Sequence, residues 1–130
     1  REAIAKQGGS DRVEVIAGDV FRDELPKGHD AHLISNVLHD WDEPEVRAIL
    51  KKSYDALEPG GTLLVHDAHI NAEKNGPLPV AQYSVLLMHS TEGKCYSLGE
   101  MRTFLEQIGF EWVSFQNTAA DRSVIIAQKP

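Results

Sequence analysis

The sequence predicts an α/β fold: a layered, largely parallel sheet with helices on its faces, closed at the C-terminus by an antiparallel hairpin. Three observations carry that expectation. Strand-like apolar runs alternate with segments of helical periodicity, the pattern of a sheet wrapped by helices. The last two strand-like runs are separated only by a short polar turn, which suits a hairpin. The chain has 130 residues, 42% apolar and 25% charged, which is the size and balance of one globular unit with its own core.

Each element follows in chain order. Residues 1–7 read as the end of a helix closed by Gly8 and Gly9. Because the chain opens at Arg1 inside that helix and without an initiator methionine, it is expected to be a fragment or proteolytic product. Val13-Glu14-Val15-Ile16-Ala17 is rich in β-branched residues, stops at Gly18-Asp19 and reads as a strand. Ala31 to Leu38 is a second strand, apolar enough to be buried on both faces. Residues 43–57 form the clearest helix. Asp42 and Glu45 have capping-box spacing at its start, and Val46, Ile49, Leu50 and Leu57 share one face. Pro59-Gly60-Gly61 ends that helix and turns the chain into a third strand, Thr62 to Val65. A helix is expected from Val80 to His89. Another opens at the capping pair Ser97 and Glu100, buries Leu98, Met101, Leu105 and Ile108, and stops at Gly109. Residues 110–116 and 122–128 complete the hairpin.

Composition narrows the partners. A net charge of −7 without a basic patch argues against nucleic acid. No apolar run reaches the roughly 20 residues of a membrane helix, so no membrane partner is expected. Cys95 is the single cysteine, which rules out an intramolecular disulfide and fits the reducing cytoplasm.

In such sheets ligands sit beyond the carboxyl ends of the strands, so the polar residues just after each apolar run are the site candidates. His39 follows the second strand, where an imidazole can accept a proton near neutral pH; closing a strand-to-helix turn is its simpler role. Asp67 ends the next strand, and parallel pairing would bring it close enough to orient His39; a solvated strand-end aspartate is the bland alternative. Asp19 ends the first strand. It can accept from an exocyclic amine, with Phe21 placed to cover a ring, or it can simply make a turn. His66 and His69 lack a third ligand, so no metal site is expected. Trp41 reads as packing, and Glu92, Glu100 and Glu106 as surface charges.

Three blocks then carry a resemblance. Asp11 to Phe21 (DRVEVIAGDVF) is similar to the "DRVEVVAGDFF" segment of class I methyltransferases. Ser35 to Asp42 (SNVLHDWD) resembles the "HDW" signature of the plant- and bacterial-type small-molecule O-methyltransferases, which include caffeate-, hydroxyneurosporene- and anthracycline-type enzymes. Leu57 to Val65 (LEPGGTLLV) resembles their "L-x-PGG-x-LLV" turn and strand. Order and spacing match throughout, over essentially the whole chain.

The resemblance implies a partial Rossmann-like methyltransferase sheet, with residues 1–130 forming the C-terminal part of a catalytic domain. The cofactor would be S-adenosyl-L-methionine and the partner a small-molecule hydroxyl acceptor, aromatic or polyketide-like. His39 aligns with the base that deprotonates the hydroxyl, and Asp67 with an acidic residue that positions it. Asp19 and Val20 match positions contacting adenine, and Ser35 one whose backbone lies near the cofactor. One departure stands out: Gly93-Lys94-Cys95-Tyr96-Ser97 occupies the place of "GKERT" in plant relatives, so Cys95 replaces a glutamate. Relatives order their sheet 3-2-1-4-5-7-6 and carry a glycine-rich loop and a dimerisation domain further upstream. With strands 1 and 2 missing, the edge of strand 4 would be unpaired and prone to self-association, so a homodimer, weak cofactor affinity and an inactive fragment are expected. The competing readings are a catalytically silent methyltransferase-fold scaffold protein and an unrelated dehydrogenase half. The latter would need a glycine-rich loop after a strand, and no strand here has one.

Overall fold

A computed structural model of the chain describes Lys6, Gly8 and residues 12–130. The elements are β1 (His29–Ser35), a 3-10 turn (Leu38–Asp40), α1 (Glu43–Ala56), β2 (Leu57–Asp67), α2 (Leu78–Ser90), α3 (Leu98–Ile108), β3 (Glu111–Asn117) and β4 (Ser123–Gln128). They build one sheet in the order β1-β2-β4-β3, in which β1 and β2 are parallel and the other neighbours antiparallel. This is the 4-5-7-6 end of the expected strand order. Among the described residues no helix is long and apolar enough to cross a membrane.

The core lies between the sheet and two helices. Val46, Ile49 and Leu50 of α1 and Met101, Phe104 and Leu105 of α3 pack on Leu63, Val65, Ile125 and Ala127. Strand alternation sets which residues join them: in β2 the period of two that buries Leu63 and Val65 also carries Asp67 inward. The carboxylate at the end of β2 is therefore interior, a placement that sequence position alone does not disclose.

Several boundaries differ from expectation, each for a local reason. Residues 13–17 form no strand and run outside the sheet, with Val13 and Ile16 exposed. A β-branched run becomes a strand only when a neighbour completes its ladder. The helix end over residues 1–7 lies outside the described residues except for Lys6. β1 starts at His29 and stops at Ser35, because Asn36 takes a left-handed φ of 51° and Leu38 enters the 3-10 turn. Asp42 does cap α1, but its carboxylate accepts from Glu43 N rather than forming the box with Glu45. The helix ends at Ala56, and Leu57 opens β2.

Pro59-Gly60-Gly61 does not leave the sheet. Between the pairs His29↔Leu57 and Ala31↔Thr62, residues 58–61 bulge out opposite Asp30, and Gly60 N donates to Lys129 O at 2.8 Å. Gly60 supplies a φ of 82° there. α2 begins at Leu78, directly after its N-cap Pro77, and α3 is framed by both halves of a Ser97–Glu100 capping box and by Gly109 at a φ of 119°. β3 is shifted by one residue from expectation and β4 starts one residue later but ends at Gln128 as expected, with a turn at 118–122 in which Thr118 N donates to Arg122 O at 2.8 Å.

Candidate active site

Two parallel strands bring the central pair together. Ser35 pairs with His66 at the ends of β1 and β2, and Asn36 N donates to His66 O at 2.9 Å. The 3-10 turn that follows β1 then folds His39 back over the end of β2. His39 Nδ1 lies 2.5 Å from Asp67 Oδ1, and both residues are buried, at 6% and 4% exposure. Asp67 Oδ1 also accepts from Ala68 N at 2.8 Å, which locks the carboxylate in place. A carboxylate can only accept, so His39 donates from Nδ1 and keeps its lone pair on Nε2.

The surroundings of Nε2 define what the imidazole can do. Asp40 Oδ1 is 3.6 Å away and the Tyr83 hydroxyl 3.5 Å away, with the Tyr83 ring edge-on at a centroid distance of 5.6 Å. The hydrogen bond to Asp67 holds the His39 pKa above its ordinary 6.5; burial and the Arg122 charge oppose the rise, and the charges of Asp67 and Asp40 add to it. A weakly exposed imidazole, fixed in one tautomer with its free nitrogen at the strand ends, is equipped to take a proton from a bound hydroxyl.

The loop after α2 closes the site from the side. Glu92 N donates to Asp40 O at 3.3 Å. A Cβ on Gly93 would sit 2.2 Å from His39 O and 2.6 Å from Trp41 N, so only glycine lets this loop pass the 3-10 turn. Cys95 packs with Ala68, Val80 and Leu87, and burial pushes its thiol up to about 11. It is a core residue and supplies no charge to His39. The second carboxylate beside the imidazole is Asp40, the residue next to it in sequence.

The remaining site candidates stand apart from this pair. Asp19 is exposed; its Oδ1 accepts from Phe21 N at 2.8 Å and Arg22 N at 3.3 Å, the bonding of a turn aspartate. Its Oδ2 lies 3.5 Å from Arg22 Nε and remains open to solvent. Val20 is half-buried and joins two cavities, one of about 660 Å³ shared with Ile16, Ala17, Gly18 and Asp19, the other of about 350 Å³ shared with Ile34 and Val37 of the β1 region. The smaller cavity is mainly apolar, whereas the larger also carries Arg12, Glu14, Asp23 and Glu24 beside Asp19. An apolar face with a carboxylate acceptor next to it suits a heteroaromatic base bearing an exocyclic amine, so these residues fit an adenosyl group. Phe21 instead packs edge-on against Trp41 at 4.7 Å, inside the core margin. Ser35 Oγ is 2.9 Å from His66 Nδ1, and His66 Nε2 is 3.0 Å from Thr118 Oγ1, so both belong to a polar chain along the strand ends. Glu100, expected as a surface charge, is half-buried. Burial alone would raise its pKa, but hydrogen bonds from Ser97, Lys94 and Lys74 hold it at about 2. Among the described residues no cluster of His, Cys, Asp and Glu could hold a metal ion.

Sequence reasoning missed Asn36, Gly93 and Arg122. Asn36 carried a readable signal, as a polar residue at a strand end; Gly93 and Arg122 act through contacts between distant segments.

The chain resembles known proteins in sequence and in fold. Residues 2–111 match the family model described as the O-methyltransferase domain. The chain is 41% identical over 108 residues to 3-hydroxy-5-methyl-1-naphthoate 3-O-methyltransferase of Streptomyces sahachiroi, covering 83% of this chain and 31% of that protein. Its fold superposes with a TM-score of 0.91 and 40% identity on the O-methyltransferase family 2 protein of Planctomyces limnophilus in complex with apigenin, over 97% of this chain and 38% of that one. Human N-acetylserotonin methyltransferase in complex with S-adenosylmethionine superposes at 0.85 with 31% identity, over 96% and 36%. The chain therefore spans about a third of the length of the relatives it matches.

Proposed function

The chain belongs to the O-methyltransferase domain family, and from that premise we propose that it forms the catalytic, C-terminal part of an S-adenosylmethionine-dependent O-methyltransferase acting on a small hydroxylated, aromatic or polyketide-like molecule. The observation that carries this reading is the 2.5 Å contact between His39 Nδ1 and Asp67 Oδ1 at the carboxyl ends of two parallel strands.

His39 Nε2 takes the hydroxyl proton, and Asp67 holds the ring in the tautomer that leaves this nitrogen free and stabilises the imidazolium that forms. S-adenosylmethionine supplies a methyl group already activated on a sulfonium, so the oxygen–carbon bond forms as the carbon–sulfur bond breaks and S-adenosylhomocysteine leaves. The protein's remaining tasks are to hold the acceptor oxygen in line and to keep water out. Asp19 and Val20 would hold the adenine, with the backbone of Ser35 alongside the cofactor. In this reading the 130 residues contribute only part of the cofactor's contacts, so taken alone they bind it weakly and do not turn over, and the protein acts in the cytoplasm as a homodimer.

The test is to supply S-adenosylmethionine and a panel of planar phenols to the protein carrying this chain, and to measure methylated product and S-adenosylhomocysteine together. Stoichiometric formation of both is expected. Tight S-adenosylhomocysteine binding without turnover on any acceptor would favour a silent scaffold, a reading that the Cys95 replacement supports and the His39–Asp67 pair opposes.

A further inference from the structure

One cation beside the site is held by neutral partners. Arg22, Arg47 and Arg102 each pair with a carboxylate three or four residues away. Arg122 instead donates from Nε to Asn36 Oδ1 at 2.8 Å and lays its guanidinium over the Tyr83 ring, 4.8 Å from the centroid. Among the described residues no carboxylate lies within ion-pair distance of it; Asp121 borders the same cavity but makes no such contact.

Its position is fixed from several sides. Arg122 closes the tight turn between β3 and β4, with its carbonyl accepting from Thr118 N and its own N–H donating to Ala119 O at 3.2 Å. Ser123, the next residue, pairs with Asp67 across the sheet, so Arg122 sits at the same strand ends as the His39–Asp67 pair. Tyr83 links the two: one face of its ring carries the guanidinium, and its hydroxyl reaches His39 Nε2 at 3.5 Å. Arg122 is half-buried and borders a cavity of about 470 Å³ that also touches His69, Asn117 and Thr118.

A guanidinium's planar fork matches a carboxylate in two parallel hydrogen bonds, and partial shielding from water strengthens that pairing. With Nε committed to Asn36 and one face to Tyr83, the terminal nitrogens remain to receive a ligand. We propose that Arg122 is a specificity residue that receives a carboxylate carried by the acceptor, so that the preferred substrates are hydroxylated aromatic acids. The inference rests on the methyl-transfer reading, since the acceptor hydroxyl must lie at His39 Nε2 while the acid reaches Arg122. The same chemistry could come from the amino-acid carboxylate of S-adenosylmethionine, and the test separates the two sources.

Hydroxynaphthoic acids and their primary carboxamides are titrated calorimetrically into the protein carrying this chain, with S-adenosylhomocysteine present. Turnover of each pair is measured separately. The acid is expected to bind about tenfold to a hundredfold more tightly than its carboxamide, the ordinary worth of a charge-assisted pair. Arg122→Gln should bring that ratio to within about twofold and Arg122→Lys should keep part of it, while the KM for S-adenosylmethionine stays constant. Equal binding of acid and carboxamide by the unaltered protein, or an acid preference that survives Arg122→Gln, overturns the proposal. So does an Arg122→Gln variant that raises the cofactor KM and leaves the acid-to-amide ratio intact, because the carboxylate is then the cofactor's. Acid-selective binding without any turnover would uphold Arg122 and refute the methyl-transfer reading; turnover without acid selectivity would do the reverse.

Discussion

Replacing Asp67 with Asn keeps the shape of a side chain that is 4% exposed and removes its charge. Asp67 Oδ1 accepts two N–H groups, from His39 Nδ1 and from Ala68 N. The Asn oxygen can still accept from both, but each bond then loses its ionic character. Hydrogen bonds to charged groups contribute about 1.5–3 kcal/mol and neutral ones about 1 kcal/mol, so the imidazolium formed during proton transfer loses about 1–2 kcal/mol, or about tenfold in rate. An amide turned the other way donates to His39 Nδ1 and moves the ring proton to Nε2, which blocks the base altogether. The full loss then approaches the 10²–10⁴-fold that general base catalysis contributes. Asp67→Asn is therefore expected to lower kcat/KM by about 10- to 10³-fold. The pH profile gives an independent sign. His39 must be neutral to accept a proton, so the rate rises with pH through its pKa, which lies above 6.5 because of Asp67. Without that carboxylate the pKa falls, and the acid limb moves to lower pH. Product formation followed between about pH 5.5 and 9, with folding of the variant checked by circular dichroism, measures both effects. A rate within threefold of the unaltered protein, or a limb that stays in place, would refute the assignment of Asp67.

Two further outcomes test the surrounding structure. Gly93→Ala places a Cβ 2.2 Å from His39 O, so the loop or the 3-10 turn must move. Thermal denaturation should show a loss of about 1–3 kcal/mol and turnover should fall at least tenfold, whereas full activity would mean that the loop does not hold His39. His69 is buried with its pKa depressed to about 4 by desolvation. As pH falls from 6.5 toward 4, the unfolded chain binds a proton that the folded protein refuses, and stability drops by a few kcal/mol on the order of the shift. His39 works in the opposite sense: its contribution is full below 6.5 and is lost as pH rises through its raised pKa. Urea denaturation of His69→Gln beside the unaltered protein isolates the first effect; parallel stability curves from pH 7 to about pH 4 would show that His69 is not the group responsible.

Much of this architecture was legible because its signals are local. Ser97 and Glu100 are three apart and Gly109 follows the last apolar residue, so α3 could be read from its caps. The apolar runs and the order of the three motif blocks identified the sheet. The proximity of His39 and Asp67 was legible from parallel pairing, since Asp67 ends β2 and His39 follows its neighbour β1, but the 3-10 turn that completes the contact was not. Elements that depend on a distant partner were misread. Residues 13–17 have strand composition but join no sheet, and Pro59-Gly60-Gly61 has turn composition but pairs with Lys129 near the C-terminus. The same distinction holds within the site. Nothing in the neighbourhood of Gly93 in sequence announces that its Cα must pass the backbone of His39. Nothing near Arg122 announces that its guanidinium rests on a tyrosine 39 residues earlier in the chain. Cys95 breaks the motif that the rest of its segment matches, yet its side chain only fills the small apolar cluster with Ala68, Val80 and Leu87.

The central claim is that His39 is the general base of a methyl transfer to oxygen. His39→Gln tests it most directly, because an amide at that position keeps a hydrogen bond to Asp67 and cannot accept a proton near neutral pH. In the protein carrying this chain, S-adenosylhomocysteine affinity should stay within a few-fold while methyl transfer at saturating cofactor falls by about 10²–10⁴-fold. Turnover by His39→Gln within tenfold of the unaltered protein would contradict the account.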